Sequence, residues 1–195
     1  MASDTYLTIQ NASEGLFKDK GSKFLGFAYP ISSDEDVKPL IDLLKKEHHS
    51  ARHHCWAYRL GNQGEQWRVN DDGEPSNSAG KPILGQIQSK GLTNVLVVVV
   101  RYFGGTLLGV GGLIQAYKEA TADTLNNAII IEAYAETQFT ISFPFETMND
   151  IMKLLKDKTA KIIKQDFNNQ CVISFSVRQQ HEAFIREKIK HYIIE

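Results

Sequence analysis

The sequence predicts a two-domain α+β protein, and three observations support that prediction. The chain has 195 residues, of which 42% are hydrophobic, so it is long enough for one large core or two small ones. Strand-like alternation and helical spacing follow one another along the chain. All 14 glycines lie in the first part of the chain, nine of them between Gly73 and Gly112. The change in composition near Ala135 divides the chain into domains at 1–134 and 135–195.

Composition excludes several classes of protein. The 22 Lys plus Arg against 23 Asp plus Glu exclude a strongly basic nucleic-acid coat protein and an acidic tail protein. Two cysteines, Cys55 and Cys171, exclude a disulfide-rich scaffold and a four-cysteine zinc site. The N-terminal segment lacks the features of a signal peptide, and the longest apolar run, Val95–Val100, is far shorter than the roughly 20 residues of a membrane-spanning helix. We therefore expect a cytoplasmic protein.

The first domain is predicted to place its helices around one fully buried strand. Asp34, Glu35 and Asp36 suit the positive end of a helix dipole, and helical apolar spacing follows them. The unbroken run Val95–Val100 indicates a strand buried on both faces, in the middle of a sheet. The predicted elements are strands within 5–31, a helix over 34–47, strands over 53–60 and 66–70, a helix over 81–89, a strand over 94–103, a helix over 113–126 and a strand over 129–134.

The second domain is predicted to be ferredoxin-like. Its order of strand, helix, strand, strand, helix and strand is that of a split βαβ fold. The predicted elements are a strand over 137–143, a helix over 145–158, a hairpin of 161–167 and 170–177 around Asn168–Asn169, a helix over 181–192 and a last strand that opens at Ile193–Ile194.

The strongest candidate for a ligand site is a glycine-rich turn between a buried strand and a helix, over Arg101–Leu113. Glycines permit close approach of a ligand, and the free N–H groups at a helix start favour an anion. Val110 and Gly111 replace the Lys and Ser/Thr of a phosphate-binding loop, and Ile114 replaces the last glycine of a dinucleotide fingerprint. The glycines therefore form either an anion site or a tight crossing of two backbones.

An acidic loop, Asp71–Ser76, precedes the helix predicted over 81–89. Three carboxylates in four residues suit a hard cation such as magnesium, or a general base. Acidic residues beside glycine and proline are also typical of an exposed turn, which we favour, so we expect no metal. Ser78 either helps to hold a phosphate or caps the helix. The candidate ligand-binding residues are Ser76, Ser78, Lys81, Arg101, Gly104, Gly105, Gly109, Gly111 and Gly112.

Four histidines and a cysteine lie within His48–Cys55, a composition that suggests zinc. The spacing argues against zinc, because His53 and His54 are adjacent in a predicted strand and point to opposite faces. His48 and His49 end a helix, where a partial negative charge favours them. We expect one of the strand histidines to face the acidic loop. The candidate catalytic residues are His53, Asp71, Asp72 and Glu74.

A cluster of lysines in the second domain surrounds the single Asp157. A solvated helix face is the interpretation we favour. The alternative is a patch that contacts phosphates, because lysine neutralises a nucleic-acid backbone without reading its sequence. This lysine patch consists of Lys153, Lys156, Lys158, Lys161 and Lys164.

Four segments form a specific pattern: Asp71–Ser76, Ala79–Leu84, Val98–Gly105 and Leu108–Leu113. They resemble the signature of the IMPACT family, in its YigZ-like bacterial branch. A weaker family motif matches Ala51, His53, Cys55, Ala57, Tyr58 and Gly61, and the resemblance covers about residues 5–130. The second domain resembles the small ferredoxin-like domain that bacterial members append, which is similar to the last domain of elongation factor G.

The resemblance implies a fold and a field of activity. The first domain should resemble the second domain of small-subunit ribosomal protein five, an α/β sandwich of helices on a sheet. The family is linked to translation control, since eukaryotic members interfere with activation of a kinase that phosphorylates an initiation factor. We therefore expect a non-enzymatic protein without a cofactor that binds RNA, the ribosome or a translation factor. The alternative is an enzyme or small-ligand binder, with an anion or metal pocket between the acidic loop and the glycine-rich turn.

Two departures from the family pattern concern that pocket. The family has Gly-Thr where this chain has Asn77 and Ser78, which keeps the hydroxyl and loses backbone freedom. The family also has an arginine where this chain has Gln115. The second change leaves Arg101 as the main cation predicted at the glycine-rich turn.

Overall fold

The computed structural model describes residues 4–167 and 170–194. The chain forms an α+β protein of two compact units. The first unit is Tyr6–Ala133, and the second joins Tyr134–Glu195 to the N-terminal residues up to Thr5. None of the helices in the described residues combines the length and the apolar character that crossing a lipid bilayer requires.

The first part of the chain forms a five-stranded antiparallel sheet with three helices. The elements are β1 (Thr5–Ile9), β2 (Ser13–Asp19), β3 (Ser22–Pro30), α1 (Val37–Glu47, after a 3-10 turn at Asp34–Asp36), β4 (His53–Leu60), β5 (Gln66–Asn70), α2 (Gly80–Ser89), β6 (Val95–Tyr102), α3 (Gly109–Asn126) and β7 (Ile130–Tyr134). The sheet has the order β2-β3-β6-β4-β5, and β1 pairs with β7. The predicted bounds of β4 and β5 are confirmed.

Strand β6 is the centre of the first unit. Every residue of Val95–Val100 is fully buried. Side chains alternate between the two faces of a strand, so Val97 and its alternate neighbours pack with α2 and α3, whereas Val98 and its neighbours pack with α1. The prediction of a central strand buried on both faces is confirmed.

Helix α3 packs closely on the hairpin of β2 and β3 because two glycines face it. A side chain at Gly15 or Gly26 would overlap Thr124 of α3. The Thr124 hydroxyl donates to the carbonyl of Ala120 at 2.7 Å, and the Ser13 hydroxyl donates to the Thr124 carbonyl at 2.9 Å. This close contact fixes the C-terminal part of α3 on the hairpin.

Helix α3 begins at Gly109, so the prediction of a start at Leu113 is wrong. Because glycine has a low helix propensity, the sequence pattern predicts Gly111 and Gly112 in the preceding turn. Both lie in the first turn of the helix. Burial of Leu113 and Tyr117 on the sheet stabilises the helix and outweighs the low propensity of its start.

The second unit has the ferredoxin-like arrangement. Its elements are β8 (Glu136–Phe143), α4 (Met148–Asp157), β9 (Lys161–Asp166), β10 (Cys171–Arg178) and α5 (Glu182–Ile189). The three strands have the order β8-β10-β9, and residues of both helices join one core with β8 and β10. Ile193 adds an antiparallel bridge to Ile141 of β8, which is the position of the fourth strand of this fold.

The C-terminal end of the second unit differs from the prediction. The last strand predicted at Ile193–Ile194 is an isolated bridge, and α5 ends at Ile189, before the predicted end at Tyr192. The turn predicted at Asn168–Asn169 lies outside the described residues, while the two strands on either side of it pair as predicted.

We expect Gly26→Ala to destabilise the protein by about 1–3 kcal/mol, because the added methyl group would overlap Thr124 in a packed interior. Gly85→Ala is the control, since Gly85 lies in α2 with no atom within 4 Å of an added Cβ. Alanine there should stabilise the helix by roughly 0.5–1 kcal/mol. Urea unfolding followed by circular dichroism measures both changes, and equal changes would contradict the packing role of Gly26.

Candidate functional site

A cleft of about 820 Å³ opens in the first unit between the acidic loop, the end of β6 and the start of α3. Its volume lies within the range of roughly 300–1,000 Å³ that is typical of ligand pockets. The residues that line it are Ser50, Arg52, His53, Gly73, Glu74, Pro75, Arg101, Tyr102, Phe103, Leu107, Leu108, Gly109, Val110 and Leu113.

A buried ion pair forms the inner wall of this cleft. The Arg101 guanidinium donates to Glu74 Oε1 at 2.7 Å, and the two side chains are only 6% and 4% exposed. The Tyr117 hydroxyl donates to the same oxygen at 2.9 Å. The Cys55 thiol lies 3.2 Å from the Tyr117 oxygen and 2.9 Å from the Asp71 carbonyl oxygen. One hydrogen-bonded chain therefore joins β6, the acidic loop, α3 and β4.

Arg101 also lies between two aromatic rings. Its guanidinium carbon is 5.5 Å from the centre of the Phe24 ring and 5.7 Å from that of Phe103. Such contacts stabilise a cation that has lost part of its water. Its Nε is buried and has no hydrogen-bond partner among the described residues. Because burying a charge is costly, the pair with Glu74 is what makes this position of Arg101 stable.

The other two carboxylates of the acidic loop bind backbone N–H groups. Asp71 Oδ1 accepts from the N–H groups of Ala79 and Gly80 at 3.0 and 2.8 Å, so Asp71 caps α2. Asp72 Oδ2 accepts from the His54 N–H at 2.7 Å. The carboxylates thus point to separate partners. Within the described residues, no three His, Cys, Asp or Glu side chains are arranged to hold a metal.

Both histidines of β4 contact Asp72, each in a different way. His53 Nδ1 is 2.9 Å from the Asp72 carbonyl oxygen, and its ring lines the cleft. A carbonyl only accepts, so Nδ1 carries the proton and Nε2 of the neutral ring is left as an acceptor. His54 is buried on the other face, with Nδ1 3.9 Å from Asp72 Oδ2. Both histidines therefore contact the acidic loop: the His53 ring contacts a backbone oxygen, and the His54 ring lies near the carboxylate.

The glycines of the turn divide into two groups. Gly104 lies against the backbone of Gly21, where any side chain would overlap the neighbouring chain. Gly105, Gly109 and Gly111 have no atom within 4 Å of an added Cβ. Gly104 thus permits a tight crossing of backbones, whereas Gly105, Gly109 and Gly111 leave open space. Gly112 is intermediate, because a Cβ added there would lie 3.0 Å from the Leu108 Cβ.

The predicted serines and Lys81 lie away from the cleft lining. Ser78 is buried, and its hydroxyl donates to the Pro75 carbonyl at 2.6 Å, so the cap of α2 is Asp71 and not Ser78. Ser76 and Lys81 are exposed. The structure brings His53, Glu74, Arg101 and Gly109 together from the predicted set.

The lysine patch of the second unit is divided by the fold. Lys153 and Lys156 lie on α4, whereas Lys161 and Lys164 lie on β9. Lys161 pairs with Glu136, and the Lys158 ammonium lies 4.6 Å from the centre of the Phe184 ring. Two of the five lysines therefore have partners within the unit.

Burial changes the acidity of three groups in the first unit. It raises the pKa of the Cys55 thiol and of the Tyr117 hydroxyl well above their ordinary values, so both stay protonated at neutral pH. It lowers the pKa of His54 below the ordinary value of 6.5. A thiol held in its protonated form is a poor nucleophile, which argues against Cys55 as a catalytic group.

Comparison with known proteins identifies the family. Residues 20–125, more than half of the chain, match the Impact N-terminal domain. The chain belongs to the IMPACT family. It is 30% identical to the family member YvyE of Bacillus subtilis over 94% of this chain and 81% of that protein. It is 35% identical to YigZ of Escherichia coli over 76% of this chain and 74% of that protein.

A crystal structure described as that of a hypothetical protein has a TM-score of 0.75 and 29% identity, and the match covers 95% of this chain and 91% of that one. The predicted family is confirmed. Three of the four segments that carry the family pattern contribute to the cleft lining, namely the acidic loop, the end of β6 and the first turn of α3.

Sequence reasoning missed two parts of this IMPACT-family site. Tyr117 lies in the middle of α3, where helical spacing predicts only a core residue, and its partner Glu74 is far away along the chain. Phe103 and Leu107 stand on the rim and are 56% and 83% exposed. A glycine-rich turn cannot bury all of its large apolar residues. Their presence in the turn is the signal that could have indicated the rim.

Glu74→Gln should destabilise the protein by about 3 kcal/mol, because Arg101 would stay buried without a counter-charge. Asp42→Asn makes the same chemical change in the exposed Lys38–Asp42 pair and should cost less than about 0.5 kcal/mol. Urea unfolding at neutral pH measures both variants. A loss for Glu74→Gln no larger than that for Asp42→Asn would show that the buried pair contributes little.

His54→Gln should reduce the loss of stability on acidification below pH 6.5. Burial keeps His54 neutral in the folded state while the unfolded chain takes up a proton, so its contribution is complete above the ordinary pKa and falls as the pH drops. The slope that the variant removes is at most about 1.4 kcal/mol per pH unit. Urea unfolding at several pH values between 7 and 5 measures how steeply the free energy of unfolding falls with pH. His49→Gln, at an exposed position, is the control. Identical slopes in the two variants would exclude His54 as the cause of the pH dependence.

Proposed function

We propose that this IMPACT-family protein acts by binding, and that its cleft takes an apolar segment of a protein of the translation machinery. The observation that supports this proposal is the apolar rim, where Phe103, Leu107 and Val110 are 56%, 83% and 52% exposed. Grouped apolar side chains at the surface are typical of protein-binding sites. The link to translation rests on the family.

The charge of the cleft favours a protein over a phosphate-bearing partner at this place. Arg101, the cation that the sequence singled out, is neutralised by Glu74 at 2.7 Å. Among the lining residues, Arg52 is the remaining cationic side chain, and it lies exposed on the rim. A nucleic-acid backbone is bound through several Lys and Arg contacts, and the cleft has one such side chain to offer.

The chemistry of the inner wall supports binding rather than catalysis. The Cys55 thiol is held protonated by burial, and the carboxylates of Asp71 and Asp72 accept hydrogen bonds from backbone N–H groups. Glu74 is occupied by Arg101 and Tyr117. The alternative of an enzyme or small-ligand binder has the volume of the cleft in its favour. Among the described residues that line the cleft, His53 is the side chain that it would use as a general base.

The test is a pull-down from cell lysate with and without ribonuclease, with captured proteins identified by mass spectrometry. The double variant Leu107→Asp/Val110→Asp should lose ribonuclease-insensitive capture of translation proteins. Val110→Asp places an acid in the first turn of α3, where the helix dipole favours it, so folding should be retained. The matched control Leu43→Asp/Ile129→Asp changes two residues that are 55% and 60% exposed and lie outside the cleft.

Capture that is unchanged in the cleft variant, or that contains no translation protein, would overturn this proposal.

RNA contact by the lysine patch is the second candidate. It is favoured by Lys153, Lys156 and Lys164, which are exposed and form no ion pair within the described residues. Association through that patch would be ribonuclease-sensitive and would weaken with salt.

A further inference from the structure

A second cleft, of about 580 Å³, lies on the other face of the first unit's sheet, beside the hairpin of β2 and β3 and the end of α1. It is distinct from the protein-binding cleft proposed above, although Tyr102 and Phe103 border both. Its lining residues are Leu16, Lys18, Gly21, Lys23, Leu25, His48, Tyr102 and Phe103. The lining contains two lysines and no acidic residue.

Three polar side chains form a row across this end of the sheet. Lys18 of β2 is directly opposite Lys23 of β3, and Lys23 is directly opposite Tyr102 of β6. Directly opposed residues point to the same face, and neighbouring strands are about 4.8 Å apart. The row thus places two ammonium groups and one phenol beside one another on the wall of the cleft.

The two opposed lysines, Lys18 and Lys23, carry an electrostatic cost. Like charges directly opposite one another destabilise a pair of strands. Both side chains are exposed, and neither forms an ion pair within residues 4–167 and 170–194. An anion held between Lys18 and Lys23 would turn this repulsion into attraction.

His48 offers a further polar group at the same cleft. Its Nδ1 is 3.0 Å from the Tyr102 hydroxyl oxygen, which orients the ring. Its Nε2 is buried and has no hydrogen-bond partner among the described residues. A buried polar atom without a partner is costly, so a ligand that bonds to His48 would remove that cost.

The rest of the lining is apolar and partly aromatic. Leu16 and Phe103 are 44% and 56% exposed, and Leu25 lies between the charged row and the core. Exposed aromatic rings are surfaces on which nucleobases stack. The cleft therefore combines a site for an anion with a surface for a flat ring.

We propose that this cleft binds a nucleotide, with its phosphate between Lys18 and Lys23 and its base against Phe103. Lysine ammonium groups are compact point charges that suit phosphate oxygens. The Tyr102 hydroxyl, at the end of the same row, supplies a hydrogen bond beside the phosphate. A free mononucleotide and a single-stranded RNA present this same chemistry, and separate probes distinguish them.

The experiment compares the wild type with Lys18→Gln/Lys23→Gln and with the charge-matched control Lys153→Gln/Lys156→Gln. The probes are adenosine monophosphate and a labelled uridine RNA of about eight nucleotides, a length within the usual size of a single-stranded binding site. Binding is measured by calorimetry and fluorescence anisotropy between about 50 and 200 mM salt. The Lys18→Gln/Lys23→Gln protein, called the hairpin variant, should bind at least one probe about tenfold more weakly than the wild type. For RNA, the slope of the logarithm of the binding constant against the logarithm of the salt concentration should be smaller by about 1.4.

Weaker binding of either probe, or of both, by the hairpin variant supports the site. Which probe is affected identifies whether the phosphate belongs to a mononucleotide or to RNA. Absence of saturable binding to the wild type, or wild-type affinity in the hairpin variant, would overturn it. Loss of RNA in the Lys153→Gln/Lys156→Gln control alone would also overturn it, because the lysine patch would then carry the binding.

A second measurement separates binding from folding. Without ligand, the hairpin variant should unfold at a urea concentration no lower than the wild type, because it removes the repulsion between Lys18 and Lys23. Inorganic phosphate should raise the melting temperature of the wild type and leave that of the variant unchanged. An equal effect of phosphate on both proteins would contradict the proposed position of the anion. The Leu107→Asp/Val110→Asp variant keeps both lysines, so failure of the protein-binding proposal would leave this result unaffected.

Discussion

The buried ion pair between Arg101 and Glu74 holds the first unit's site together. A charge pair removed from water is tolerated only when both partners keep close contact, so it fixes the acidic loop against the central strand. Tyr117 extends the contact to α3, and Cys55 extends it to β4. The position of the loop then allows Asp71 to cap α2. Three elements distant along the chain, the acidic loop, β6 and α3, thus meet at one carboxylate, and β4 joins them through the Tyr117 hydroxyl.

The end of β6 supplies residues to both clefts because successive side chains of a strand point to opposite faces. Arg101 points to the side of α2 and α3, whereas Tyr102 points to the side of α1. Phe103 follows at the end of the strand and borders both clefts. The first cleft has a neutralised charge and an apolar rim, whereas the second has two lysines that form no ion pair in the described part of the chain. The two surfaces therefore suit partners of different chemistry.

Local patterns predicted most of the fold. The strands predicted over His53–Leu60 and around the unbroken run Val95–Val100 are correct, and in the second case a continuous apolar run reports burial directly. The start of α3 was misplaced because Gly109–Gly112 has low helix propensity and is stabilised by distant packing. The acidic loop forms the predicted turn, but the separate partner of each carboxylate depends on contacts that no local pattern records.

The sequence by itself determined the order of elements, the α+β class and the IMPACT family, because periodicity, composition and contiguous motifs are local properties. Only the tertiary structure decided that Glu74, rather than Asp71 or Asp72, pairs with Arg101, and that Gly104 packs while Gly105 remains open. The register of the strands likewise brought Lys18, Lys23 and Tyr102 into one row. Each of these outcomes depends on which distant backbones meet, and therefore on the free energy of packing the whole first unit.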